Sequence, residues 1–255
     1  MNDLSRHRAD WEALGTLDPL YAILSAGDAK HGGWDEASFF ATGEDDVRRL
    51  MATCDRIGLP RERGAAFELG CGVGRLTRAL STRFARCTGV DISDAMISGA
   101  RELNADRPNC DWIVNTTGDL RAFPNGGFDL VLSHLVLQHL PTREAIAGYL
   151  SEMARILAPG GLLVAQVPAS MPVRQRLQPR RRAYGALHRA GIPDRILYGR
   201  MGLNPIRMNW IPRCDALRAL AREGARVVDV ELGWLGDNSA TGKELNLTYL
   251  ATRDG

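Results

Sequence analysis

The stretch FELGCGVGRL, Phe67 to Leu76, places Glu68 two residues before Gly70 and sets Gly70, Gly72 and Gly74 at alternate positions. A glycine run after an apolar lead-in lets backbone approach a ligand closely, because no Cβ stands in the way. The spacing is G-x-G-x-G, and the third glycine of a dinucleotide loop would fall on Arg75. Glu68 stands where an anionic pyrophosphate would be repelled and a cationic amino-acid moiety welcomed. Asp91 follows a second apolar run, where a carboxylate can accept both hydroxyls of a ribose. A second group of residues could handle protons. The segment SHLVLQHLP carries His134 and His139, whose side chains ordinarily titrate near neutrality. Each could equally be a hydrogen-bonding residue with no catalytic part.

These groups need elements to hold them, and the chain offers a βα alternation. GAAFELG reads as a buried strand and GRLTRALSTRF as the helix after it. RCTGVDIS, CDWIVNT, FDLVLSHL and LLVAQVP read as further strands. DAMISGARELNAD and TREAIAGYLSEMARILAPGG read as helices between them, the second opened by a Thr cap and closed by Pro-Gly-Gly. CDALRALAREG, ARVVDVEL and LNLTYLATR complete the series. Strands alternating with helices give an α/β, Rossmann-like, doubly wound sheet. Ligands of such sheets bind beyond the carboxyl ends of the strands, at the topological switch point, which is where the glycine loop falls. Ahead of the sheet, DPLYAILS is a short apolar patch, AGDAKHGGWD a glycine-rich loop and GEDDVRRLMATCDRIGLP an amphipathic helix.

Composition narrows the class. The 255 residues suit one elaborated domain, and the net charge of +2 selects no partner. The five cysteines, Cys54, Cys71, Cys87, Cys110 and Cys214, form no C-x-x-C pair and no metal-ligand spacing, which fits free thiols in a reducing, cytoplasmic setting. The polar N-terminus carries no secretory signal, and no run long enough to span a membrane is present. Residues 169–213 shift in composition, with ten arginines, five prolines and Asp194 as the one acid. Its apolar residues mark it as a folded cap. The expected divisions are a lid over 1–60, a core over 61–168, the cap over 169–213, and completion of the sheet over 214–255.

Taken together, Glu68 to Gly74, Asp91 with Ile92, Gly118–Asp119 with Leu120, FDLV at Phe128–Val131 and the L-x-P-G-G turn at Leu157–Gly161 resemble the class I S-adenosylmethionine-dependent methyltransferase superfamily. The leader resembles a bacterial, small-molecule subgroup with an N-terminal lid. The resemblance implies a seven-stranded sheet with a cap inserted after strand five. It implies S-adenosylmethionine as cofactor, S-adenosylhomocysteine as product, and Glu68, Gly70, Cys71, Gly72, Gly74, Asp91, Ile92, Met96, Asp119, Leu120 and Ser133 on the cofactor side. It places acceptor-side residues at the end of strand four, so His139 and His134 are the candidate bases.

The expected reaction is methyl transfer to a hydroxyl oxygen of a small polar acceptor, such as a sugar or secondary metabolite. A small amine is the alternative, followed by RNA or a non-catalytic cofactor-binding subunit. SHLV is not the Asn/Asp-Pro-Pro-aromatic motif of base N-methylation, and no Cys follows a Pro, which disfavours nucleic acid. No acidic cluster near strand four suggests a metal. GGWDEASFFATG is expected to fold over the cofactor as a glycine-hinged lid. His31, Trp34, Tyr184, with His188, and the cluster Arg180, Arg181 and Arg182 are expected on the acceptor side, the arginines as an anion site.

Overall fold

The computed structural model describes residues 3–25, 32–235 and 245–254. It begins with three helices: α1 (Asp3–Leu17), α2 (Pro19–Ile23) and α3 (Glu36–Ile57). The sheet follows as β1 (Ala65–Leu69), α4 (Arg75–Leu80), β2 (Arg86–Asp91), α5 (Asp94–Leu103), β3 (Cys110–Val114) and β4 (Phe128–Ser133). A 3₁₀ turn over Leu137–His139 leads to α6 (Arg143–Ile156) and β5 (Leu157–Ser170). The cap holds α7 (Val173–Arg176), α8 (Pro179–Arg189) and α9 (Asp194–Gly199). The chain then returns through α10 (Arg213–Ala221), β6 (Ala225–Leu232) and β7 (Leu245–Arg253).

The sheet has seven strands in the order β3-β2-β1-β4-β5-β7-β6. Strands β1 to β5 pair in parallel, and β7 is antiparallel to both β5 and β6. The order reverses between β1 and β4, whose registered pairs include Phe67 with Val131 and Glu68 with Leu132. Their carboxyl ends therefore open side by side at the switch point. One apolar layer joins Phe67, Val131 and Leu163 to α6 and α10 through Leu150, Met153 and Leu220. The opposite layer joins Ala66, Leu130 and Leu132 to α3 and α4 through Leu50, Met51 and Leu80. Both faces of β1 are buried, which is why its residues are apolar apart from Glu68.

The leader differs from the expected hinged loop. Glu36–Ile57 is one helix, so the segment FFATG lies inside it. Asp35 caps its start, accepting from the Ser38 amide at 2.9 Å, and Gly58 ends it in the left-handed region. Gly43 allows close packing: a Cβ there would lie 2.3 Å from the carbonyl oxygen of Arg75. It brings α3 against α4 instead of acting as a hinge.

The segment from Val173 to Gly199 holds three short helices, and the residues after it return to the sheet. Arg143 of α6 and Arg176 of α7 lie over the ring of Trp210, at 3.6 and 4.7 Å from its centroid. The returning segment is laced to the 3₁₀ turn. The Asn209 amide donates to the Gln138 carbonyl at 2.6 Å, and its side-chain amide donates to the Leu140 carbonyl at 2.5 Å. The strand β5 runs on to Ser170 before the cap begins.

Candidate active site

The switch point opens into a cavity of about 420 Å³, within the range of about 300–1,000 Å³ usual for small-molecule sites. Its floor is the glycine loop. The amides of Gly70 and Cys71 donate to the Val90 carbonyl at 2.7 and 3.0 Å, which folds the loop back on β2. Gly72 has φ 54°, and a Cβ there would lie 2.5 Å from Cδ1 of Ile23 in the lid. At Gly70 an added Cβ would lie 2.4 Å from Val136. Backbone alone can occupy this ground.

Asp91 closes one side. Its Oδ2 accepts from the Gly72 amide and its Oδ1 from the Ser93 amide, both at 3.0 Å. Burial raises its pKa, and the Ser93, Gly72 and Ile92 amides oppose that rise. The carboxylate oxygens thus keep lone pairs for a diol while their orientation is fixed. Ile92, Met96 and Asn115 line the same end.

Glu68, Arg75 and His134 line another part of the cavity. Burial raises the Glu68 pKa to about 7, against the Thr77 hydroxyl, which donates to it at 2.5 Å, and the nearby Arg75. Arg75 is itself buried and paired to Asp46 at 2.6 Å. His134 stacks on Trp234 at 3.8 Å between centroids. Its Nδ1 is buried without a hydrogen-bond partner, and Asp46 lies 4.0 Å away. Burial drives its pKa well below the usual value, so the ring is neutral.

The other end of the cavity is built from α1 and the 3₁₀ turn. Leu4, His7 and Trp11 of α1 line it with Gln138, His139 and Ile206. His139 Nδ1 lies 2.8 Å from the Arg207 carbonyl oxygen. A carbonyl only accepts, so Nδ1 carries the proton and Nε2 keeps the lone pair. Burial lowers the His139 pKa, with the Arg207 bond opposing. Trp11 packs on this imidazole at 5.4 Å. His7 is lowered to about 4, chiefly by burial and then by His139, Arg207 and Arg181. The lid is pinned through Glu12, which accepts from Ser93 Oγ at 2.8 Å and the Ala95 amide at 3.1 Å. That places a carboxylate at the amino end of α5.

Several expected residues sit elsewhere. Leu120 is fully buried in the core and its amide donates to Glu152 at 2.9 Å. The Asp119 carboxylate accepts from the Arg121 amide at 3.2 Å, turning the loop on itself. Neither lines the cavity, and Asn115 and Tyr149 do. Ser133 is buried, with Oγ donating to the Leu69 carbonyl at 3.4 Å. Cys71 lines the loop, and burial raises its thiol pKa well above the usual range. Gly74 starts α4, its hydrogens facing Trp112.

On the acceptor side, Trp34 donates from Nε1 to the Leu24 carbonyl at 2.8 Å and packs on Phe39. It holds the leader down, and Phe39 and Phe40 are buried in the same cluster. Tyr184 donates to Asp194 at 2.7 Å and stacks on His188, so it is consumed inside the cap. Arg180 and Arg182 are exposed. Arg181 alone of the three turns inward, its Nε donating to the Pro205 carbonyl at 3.1 Å. His31 lies outside the described residues. The sequence reading missed His7, Trp11, Arg75, Asn115 and Gln138. The one available signal was the i, i+4 spacing of His7 and Trp11, which puts both on one helix face.

Comparison with known proteins agrees with this geometry. A methyltransferase domain model matches residues 67–165. The trans-aconitate 2-methyltransferase of Azoarcus sp. (strain BH72) is 33% identical over 138 residues, 53% of this chain and 51% of that protein. That of Mycobacterium ulcerans (strain Agy99) is 33% identical over 170 residues, 64% of this chain and 60% of that protein. The demethylmenaquinone methyltransferase of Tropheryma whipplei (strain Twist) is 32% identical over 131 residues, 51% of this chain and 52% of that protein. The chain thus spans about half the length of the curated relatives it matches. Magnesium protoporphyrin IX methyltransferase from Synechocystis PCC 6803, solved with bound SAH, superposes with a TM-score of 0.62 at 19% identity, covering 99% of this chain and 100% of that one. That likeness concerns the fold.

The cofactor of this fold family is S-adenosylmethionine, and the residues fit it. The glycine loop lines the cavity with backbone at Gly70 and Gly72, which close packing of Val136 and Ile23 keeps free of side chains. Asp91 would hold the ribose hydroxyls, and Glu68 would hold the amine of the cofactor's amino-acid end. Among the described residues no helix is long and apolar enough to cross a membrane. Sheet order, glycine loop and domain match together establish that the chain belongs to the class I S-adenosylmethionine-dependent methyltransferase superfamily.

Proposed function

We propose that the protein transfers a methyl group from S-adenosylmethionine to a hydroxyl oxygen of a small acceptor, with His139 taking the acceptor's proton. The observation that carries this reading is the bond from His139 Nδ1 to the Arg207 carbonyl. It fixes the neutral tautomer whose Nε2 is basic, on a ring that lines the cavity. The named relatives also support a small-molecule acceptor, since trans-aconitate and demethylmenaquinone stand in their names.

The cofactor supplies an electrophilic methyl on a sulfonium. The chain supplies position, dryness and a base. Asp91 and the glycine loop fix the nucleoside. Trp11, Ile23 and the rest of the lid exclude water from above. His139 receives the proton at Nε2 while Nδ1 still donates to Arg207, which supports the charge on the new imidazolium. His7 stays neutral at working pH because its pKa is lowered to about 4, so it does not repel that charge. A base held below the ordinary histidine value matches an acidic hydroxyl, phenolic or enolic, better than a simple alcohol.

The test is incubation with methyl-labelled cofactor and a panel of phenols, enols, alcohols and amines, followed by location of the label. Label on oxygen, lost in His139→Ala, supports the reading. Label on nitrogen or carbon, or an unchanged rate in that variant, overturns it.

A further inference from the structure

The outer surface of the cap combines two features that neither the cofactor nor the proton step uses. The first is charge. Arg176, Arg180, Arg182, Arg189, Arg195 and Arg200 are all exposed, and none of them makes an ion pair among the described residues. Elsewhere on the surface Arg48, Arg63 and Arg218 each hold a carboxylate within 2.9 Å. Asp194 is the one acid of residues 169–213, and it accepts from Tyr184 and pairs with His188. The second feature is apolar. Val173, Leu177 and Met201, at 68%, 53% and 49%, are the three most exposed large apolar side chains among the described residues.

The two features adjoin along α7 and α8. Val173 and Leu177 stand four residues apart across the single turn of α7 and share one face. Arg176 anchors that turn, lying over the Trp210 ring and donating from Nε to the Met171 carbonyl at 2.8 Å. On α8, Arg182, Ala186 and Arg189 stand at i, i+4 and i+7 and form one exposed stripe. The opposite side of this helix is held down. Arg181 donates to the Pro205 carbonyl, Tyr184 is buried, and just ahead of the helix Gln178 donates from Nε2 to the Met208 carbonyl at 2.7 Å. Guanidiniums beside exposed aliphatic side chains suit an anionic bilayer: the charges meet lipid phosphates, and the apolar groups enter the boundary between headgroups and acyl chains. A nucleic-acid strand fits less well, because stacking needs exposed aromatic rings. Here Tyr184 and Tyr198 are buried, and Trp210 lies under two guanidiniums. A second copy of the chain seated on the same face would bring like charges together.

We propose that α7 and the outward stripe of α8 dock the protein on an anionic lipid bilayer, with Val173 and Leu177 in the interface and Arg180, Arg182 and Arg189 on lipid phosphates. The chain lies on the surface and does not cross it through the described residues, since none of their helices is long and apolar enough to span a membrane. The bound face sits over the segment whose Arg207 carbonyl holds His139. The docking goes beyond the methyl-transfer reading and does not rest on it.

The experiment sediments the full chain, saturated with S-adenosylhomocysteine, with vesicles of phosphatidylcholine alone or of an equal mixture of phosphatidylcholine and phosphatidylglycerol. The expected result is partition at least tenfold stronger onto the mixed vesicles, weakened by added salt. Replacing Arg180→Gln, Arg182→Gln and Arg189→Gln together should weaken it about 100-fold, at about fivefold per charge. Val173→Ser with Leu177→Ser keeps every charge and should weaken it about tenfold. Arg83→Gln with Arg86→Gln, exposed arginines at the turn from α4 to β2, should leave it unchanged. Affinity for S-adenosylhomocysteine should match the wild type throughout, which checks the fold. Equal partition onto both vesicles, no partition at all, or no loss in the serine pair overturns the docking. An equal loss in the Arg83 and Arg86 variant also overturns it, since net charge alone would then be responsible. Single-stranded RNA that displaces the protein from mixed vesicles, or a dimer that the serine pair dissociates, gives the face to another occupant and overturns it as well.

Discussion

The contact between Gly72 and Ile23 predicts how the loop and the lid are coupled. Replacing Gly72 by Ala forces an L residue to hold φ 54°, which costs about 1–2 kcal/mol. It also puts a methyl 2.5 Å from Cδ1 and 2.8 Å from Cγ1 of Ile23, so Ile23 must leave. The first cost stays in the loop. The second falls on the lid, because Ile23 is the end of α2. A total of about 2–3 kcal/mol is expected, corresponding to a fall in Tm of about 4–12 °C for a chain of this size. Calorimetric titration with S-adenosylhomocysteine should show at least tenfold weaker binding. Ile23→Ala alone should be mild, since this side chain is only partly buried. The double variant separates the terms. Removing Ile23 relieves the collision and leaves the backbone strain, so about 1 kcal/mol of the loss should return as a coupling energy. Strict additivity of the two substitutions would refute the claim that Ile23 is what the missing Cβ makes room for.

Three other perturbations have defined outcomes. Asp91→Ala should weaken S-adenosylhomocysteine by about 1.5–3 kcal/mol, the range for hydrogen bonds to a charged group, as read by calorimetry. Burial raises the Glu68 pKa to about 7, so the folded state holds a proton that the unfolded chain releases near the ordinary carboxyl value of 4.5; stability should therefore fall as pH rises from about 4.5 to 7, and Glu68→Gln should flatten that slope in urea melts. Because His139 is lowered from 6.5, its base limb in the pH–kcat profile should lie below that value, and His139→Ala should cost about 10²–10⁴ in kcat with cofactor affinity retained.

The parts of the site that were legible in the sequence are those whose chemistry is local. Gly70, Gly72 and Asp91 announce themselves because a tight turn and a strand-end carboxylate need those residue types wherever the rest of the chain goes. The sheet was equally legible, since β6 and β7 match their sequence segments to the residue. Helix α1 was not. Its buried residues are His7, Leu14 and Gly15, which make no long apolar stripe, and it docks through polar bonds from Glu12 as well as through Leu14 and Trp11. The arginine cluster failed for a related reason. Arg180, Arg181 and Arg182 are alike as letters, but on a helix successive side chains point about 100° apart, so only one can face the core. Trp34 and Tyr184 were ambiguous because an aromatic side chain serves packing and binding by the same surface; only their partners, the Leu24 carbonyl and Asp194, decide.

The two ends of the cavity come from parts of the chain that obey different constraints. The cofactor end is made by strand ends of the sheet, whose positions the core fixes. The end proposed for the acceptor is made by α1, the 3₁₀ turn and the returning segment around Ile206. These are joined by a few polar bonds: His139 to the Arg207 carbonyl, and Asn209 to Gln138 and Leu140. The carbonyl that sets the tautomer of His139 therefore belongs to the returning segment after α9, and the Arg207 side chain pairs with Asp3 of α1. One residue, Arg207, thus fixes the proposed base through its backbone and ties to α1 through its side chain. A shift of the cap that better fits an acceptor also moves the base. In the proposed reaction, acceptor binding and proton transfer are thus coupled through the bond from His139 to the Arg207 carbonyl, without any contact between this segment and the glycine loop being required.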